Sequence, residues 1–98
     1  MADDGKQAKN RVPFTKTVQV TAGETVAGKG VDVGGGGICA MLPKAFKTGD
    51  EFKVAVEGGP TSQGTVRWCK PEGGSWKVGI QIAAGDWAAL AAFAGVPE

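Results

Sequence analysis

The residues with chemistry to offer are few. Lys6, Lys9, Arg11 and Lys16 fall in one stretch with no acid between them, which makes it a local anion-attracting segment. Asp32 lies between Val31 and Val33; strand alternation puts the two valines on one face and turns the carboxylate to the other, away from the core. Gly34 to Gly37 form a run of four glycines. That run reads first as a tight or bulged connection, since no Gly-Lys-Ser/Thr follows to make a phosphate cradle. Cys39 and Cys69 stand 30 residues apart without CxxC spacing, so free thiols are favoured over a disulfide or a metal pair. The chain has no histidine, which removes the commonest general base, the Ser-His-Asp arrangement and most zinc sites. No set of acid, base and nucleophile emerges, so the chemistry on offer is binding, with neither enzyme activity nor a cofactor expected.

The elements that must position these groups read mainly as strands. Residues 1–10 are polar and are expected to form a mobile arm, ended by Pro13. Val18 and Val20 alternate with polar neighbours, and a second strand runs from Thr25 to Val33. Gly28 and Gly30 within it suggest a bulge or a sharp bend. Ile38 to Leu42 is a short apolar strand, and Lys47-Thr48-Gly49-Asp50 is a turn. Phe52, Val54 and Val56 alternate cleanly; Val66 and Trp68 share a face; Pro71 to Gly74 is a hairpin loop; Trp76, Val78, Ile80 and Ile82 form the longest alternating series. The same periodicity puts Trp68 and Trp76 in the core, in preference to a base-stacking platform. Asp86 is placed to cap a helix in which Trp87 and Leu90 face the barrel, and Gly95 and Pro97 stop it. Six strands with one apolar face each favour a closed barrel, because closure removes exposed edges. The expectation is an all-β domain over residues 11–98, with a short C-terminal α-helix covering an opening or packing on the wall.

The bulk properties narrow the partners. With 98 residues the chain fits one domain, and 17 glycines set between apolar runs favour a turn-rich β domain over disorder. A formal charge of +1 argues against broad binding to DNA or anionic membrane. A barrel that binds single-stranded nucleic acid would need a basic stripe with interleaved aromatics, and neither is present. No apolar run approaches the roughly 20 residues of a membrane span, and the N-terminus has no signal-like core. A reducing cytoplasm is the expected location.

Three features, in order, resemble a PilZ domain. In Gln7-Ala8-Lys9-Asn10-Arg11-Val12-Pro13-Phe14, Arg11 matches the second Arg of the family's Arg-x-x-x-Arg arm, and Gln7 stands where the first would be. In Asp32-Val33-Gly34-Gly35-Gly36-Gly37-Ile38, Asp32 and Gly37 match the Asp/Asn-x-Ser-x-x-Gly pattern, while Gly34 replaces the Ser. Gly64 to Trp68 and Trp76 to Ile82 look like the last two barrel strands, with the terminal helix after them. The resemblance implies a six-stranded antiparallel barrel and a receptor or adaptor domain for cyclic di-GMP, a bacterial second messenger. The alternative it leaves open is a PilZ-like protein-interaction module that has lost the nucleotide. By the same resemblance, a protein partner would belong to pilus, flagellar or chemotaxis machinery.

The implied site consists of Arg11, Asp32, Gly34 and Gly37, with Gln7, Lys6 and Lys9 from the arm. A guanidinium forks onto phosphate oxygens or the O6/N7 edge of guanine, an outward Asp accepts guanine N–H groups, and Gly37 lets a ligand approach the backbone. Losing one Arg contact and one Ser hydroxyl weakens such a site by about 2–4.5 kcal/mol. Gln7 supplies a neutral hydrogen bond in exchange, and Lys6 or Lys9 supplies charge without the fork.

Overall fold

The computed structural model describes residues 11–96. It contains β1 (Val12–Pro13), β2 (Thr17–Ala22), β3 (Glu24–Gly34), β4 (Gly37–Leu42), β5 (Glu51–Val56), β6 (Thr61–Glu72), β7 (Ser75–Ile82) and one helix, α1 (Ala84–Ala94). The strands pair antiparallel in the order β1-β3-β2-β5-β6-β7-β4, and β4 pairs back onto β3. That last pairing closes a six-stranded barrel, with β1 as a two-residue flap on β3. The alternating positions fill the interior: Val18, Val20, Val54, Val56, Val66, Val78, Ile80 and Ile82 are all buried, together with Phe14, Val33, Ile38, Leu42 and Phe52. Closure leaves none of the six barrel strands with an unpaired edge.

The turns follow their residue chemistry. Gly35 and Gly36 both have positive φ and join β3 to β4, a conformation that glycine adopts without steric cost. The predicted turn at Lys47–Asp50 is closed by Asp50 N–H donating to the Lys47 carbonyl and Lys47 N–H donating to Asp50 Oδ2, each at 2.9 Å. The β6–β7 connection is tighter than the Pro71–Gly74 loop expected from the sequence: strand pairing runs on to Glu72↔Ser75, and only Gly73 and Gly74 turn the chain.

Helix α1 packs on β3 and β6, which stand opposite each other across the barrel, three strands apart either way round. It therefore lies over one open end, with Leu90 and Ala91 inserted and Trp87 half-buried against the core. Asp86 does not cap it. The helix begins at Ala84, and the N-cap, Ala83, has no side-chain bond to the first turn. Asp86 lies inside that turn, and its Oδ2 accepts the Gln63 N–H of β6 at 2.8 Å, so it fastens the helix to the barrel. At the other end Gly95 takes the left-handed conformation that stops the helix, while Pro97 lies outside the described residues.

Two bulges override strict alternation. The β3–β4 register shifts between Gly30 and Asp32, so Val31 is only half-buried while Val33 is fully buried. The β6–β7 register shifts between Val66 and Trp68. With Arg67 as the extra residue, Trp68 turns out of the core and is 37% exposed. Its expected place beside Val66 is thereby corrected. Trp76, near the end of the last hairpin, is half-buried and packs against the core without entering it.

Candidate functional site

One row of the outer wall runs across four strands. Asp32 on β3 faces Cys39 on β4, Cys39 faces Gly79 on β7, and Gly79 faces Trp68 on β6. Directly paired residues share a face, so Asp32, Cys39 and the indole of Trp68 all look outward. The indole rests on Gly79: a methyl group there would lie 2.7 Å from Trp68 Cζ2 and closer still to Cε2 and Nε1. Strand β7 thus gives up a side chain to seat the ring, and the bulge at Arg67 turns the ring towards it.

At the other end of the row stands Arg11. The pairing of β1 with β3, Val12↔Val33 and Pro13↔Asp32, brings it beside a carboxylate 21 residues later in the chain. Arg11 Nε–H donates to Asp32 Oδ1 at 3.1 Å, and Nη2–H donates to the same oxygen. Nη1–H donates to the Gly34 carbonyl at 2.8 Å, tucking the guanidinium beneath the β3–β4 hairpin. Each partner keeps about two-thirds of its side chain covered, which strengthens the pair over a fully solvated one. Three of the five N–H donors of the guanidinium are engaged. Asp32 Oδ2 has no hydrogen-bond donor among the described residues.

Between these ends lies an open cleft of about 620 Å³, within the range of small-ligand sites. Its lining brings together Arg11, Asp32, Gly35, Gly37, Cys39, Arg67, Trp68, Lys70, Glu72, Lys77 and Gly79. Four cations against two carboxylates give it a positive field. Cys39 forms part of its floor and is almost wholly buried even though it faces outward. Burial, and after it the Asp32 carboxylate, raises its pKa above the ordinary value of 9.0, while Lys77 and Arg11 pull it down. The thiol stays protonated at neutral pH and has little nucleophilic character. Cys69 accepts a hydrogen bond from the Phe46 N–H at 3.5 Å, and both thiols are free.

Of the residues picked out by sequence, Arg11 hydrogen-bonds both Asp32 and Gly34, and Gly37 lines the same cleft. Gly37 also has a structural reason to be glycine: a Cβ there would sit 2.5 Å from the Ile80 carbonyl oxygen on β7. Gly34 does not have positive φ, so its backbone conformation is open to other residues. Lys6, Gln7 and Lys9 lie outside the described residues. Trp68, Gly79, Arg67, Lys70, Lys77 and Cys39 were missed. Each sits on the outward phase of β4, β6 or β7, and the bulge hides that phase in β6.

No curated protein matches the chain. Among solved structures it is similar to the Bacillus subtilis inhibitor of motility MotI/DgrA, with a TM-score of 0.67 and 20% identity over 86% of this chain and 46% of that one. That likeness speaks for the fold, and the chain spans a little under half the length of that protein. The PilZ domain model matches residues 6–93, from the arm, through the Arg11–Asp32 contact and the closed barrel, almost to the end of the helix, and the chain belongs to the PilZ domain family.

Proposed function

We propose that this domain is a receptor or adaptor for cyclic di-GMP, working by binding and not by catalysis. The observation that carries the proposal is the Arg11–Asp32 contact at the mouth of a cationic cleft, with Asp32 Oδ2 and two guanidinium N–H groups without a partner among the described residues. In this reading Asp32 accepts guanine N–H groups, and Arg11, held flat by Asp32 and Gly34, forks onto a phosphate or a guanine edge. Trp68 offers an exposed ring on which a guanine stacks; such stacking is worth about 1–3 kcal/mol per base. Lys6, Gln7 and Lys9 lie just before Arg11 in the sequence and add two cations and an amide to the residues on offer. In this reading the domain works in the cytoplasm of a bacterial cell.

The adaptor half of the proposal is a protein partner in pilus, flagellar or chemotaxis machinery. The neighbour's description as an inhibitor of motility supports motility. A second reading, an interaction module without nucleotide, draws on α1. Phe93 is 36% exposed, Ala88, Ala89 and Ala92 are exposed, and the one charge of the helix, Asp86, is engaged with β6. Calorimetric titration of cyclic di-GMP into the native chain and into Arg11→Ala separates the two. Saturable heat from the native chain, lost in the variant, is the expected result. Equal heat in both refutes the site, and none in either refutes the receptor.

A further inference from the structure

The wall of the cleft opposite Arg11 carries positive charge that forms no ion pair among the described residues. In the row next to the Asp32–Trp68 row, Lys29 faces Met41, Met41 faces Lys77, and Lys77 faces Lys70. Lys70 and Lys77 are therefore directly opposed on neighbouring strands, an arrangement that destabilises a sheet. Among the described residues neither forms an ion pair, nor does Arg67. Of the two carboxylates lining the cleft, Asp32 is committed to Arg11, which leaves Glu72 for three cations. Lys70 is held where it is: its ammonium lies over the Trp68 ring, 5.4 Å from the centroid, and the ring in turn is seated on Gly79.

We infer that Lys70 and Lys77, with Arg67 beside them, form a second phosphate subsite at the β6–β7 end of the cleft. It is separate from the Arg11–Asp32 end: β7 stands two strands from β3, roughly 10 Å across the wall. The ligand class is thus one with at least two separated anionic groups. The opposed lysines gain a shared counterion when it binds, and the charge missing at Gln7 is made up from the hairpin instead of the arm. Lys70 exchanges the indole face for a phosphate oxygen, and this frees the ring for a base. The assignment of the bound phosphate rests on the proposed receptor function; the charge cluster itself does not.

The test uses the whole chain in its native form, as the double variant Lys70→Ala/Lys77→Ala, and as Lys53→Ala, an exposed β5 residue outside the cleft. Two probes are used: calorimetric titration with cyclic di-GMP, and the melting-temperature shift caused by inorganic pyrophosphate. The double variant is expected to bind cyclic di-GMP about tenfold more weakly or worse and to lose the pyrophosphate shift, while Lys53→Ala keeps both. Its melting temperature without ligand should stay close to the native value, because the repulsion removed offsets the lost contact of Lys70 with the Trp68 ring. If the double variant binds cyclic di-GMP like the native chain and keeps the pyrophosphate shift, the subsite is overturned and the receptor function stands. If pyrophosphate stabilises the native chain through these lysines but cyclic di-GMP gives no heat, the receptor function is overturned and the anion subsite stands. A double variant that melts well below the native chain overturns the claim of unrelieved repulsion, and Lys77→Gln then reads the subsite alone.

Discussion

Gly79→Ala disturbs the site without removing any group that could touch a ligand. The new Cβ would fall inside contact distance of the Trp68 indole, 2.7 Å from Cζ2, so the ring must retreat by about 1 Å to reach ordinary van der Waals separation. Trp68 is 37% exposed, so about two-thirds of the side chain is covered. That is roughly 150 Å², worth at most about 4 kcal/mol. A gap of 0.5–1 Å forfeits about a quarter to a half of contact energy, or about 1–2 kcal/mol. Replacing a mid-strand glycine returns about 0.5–1 kcal/mol. The net loss is about 1 kcal/mol, which for a domain of this size lowers the melting temperature by about 4–8 °C. Under the proposed function, cyclic di-GMP affinity is expected to fall with it, by about fivefold, because the displaced ring no longer presents its face to a base. A thermal melt, a calorimetric titration and the indole N–H resonance of Trp68 read the three effects separately. If the melting temperature, the affinity and the Trp68 resonance all match the native chain, the ring is not seated on Gly79 and the account of this wall fails.

Arg11→Ala and Asp32→Ala are each expected to abolish measurable cyclic di-GMP binding, whereas Gln7→Arg strengthens it by about 1–2 kcal/mol by restoring a second guanidinium; calorimetry on the three variants checks this. Gly34→Ser adds about 0.5–1 kcal/mol in the same assay, since its backbone does not need positive φ. The raised pKa of Cys39 gives a pH dependence of known sign. Below 9.0 the thiol is protonated in both states; as pH rises past that value the unfolded chain loses its proton first, and stability declines until the folded thiol ionises too. Urea unfolding at pH 8 and pH 10 should show that fall, and Cys39→Ser should reduce it. Asp86→Ala removes the acceptor for Gln63 N–H and should lower stability by about 0.5–1.5 kcal/mol, read as a lower melting temperature with the barrel's β signal retained.

The amino-acid order by itself determined the barrel. The period-two runs at Val18–Val20, Phe52–Val56 and Val78–Ile82 each leave one apolar face, and six such faces with short turns bury one another best by closing. It also determined the candidate motif, because Arg11, Asp32 and the glycine run keep their order and spacing whatever the chain does in between. The terminal helix was legible from its alanine-rich stretch and its Gly95 stop.

Tertiary structure decided what strand periodicity cannot express. A bulge adds one residue to a strand and reverses the phase beyond it, so Trp68, in register with Val66 by counting, is turned out by Arg67 onto Gly79. Asp86 has the composition of a cap, but its use was settled by the nearness of β6, whose Gln63 N–H lies within its reach. The opposition of Lys70 and Lys77 depends on the same shifted register, and their nearness to Arg11 depends on β4 closing the wall between β3 and β7. Local patterns set which face of a strand is apolar; which outward residues become neighbours is set by register across strands distant in sequence, and that is fixed only when the barrel closes.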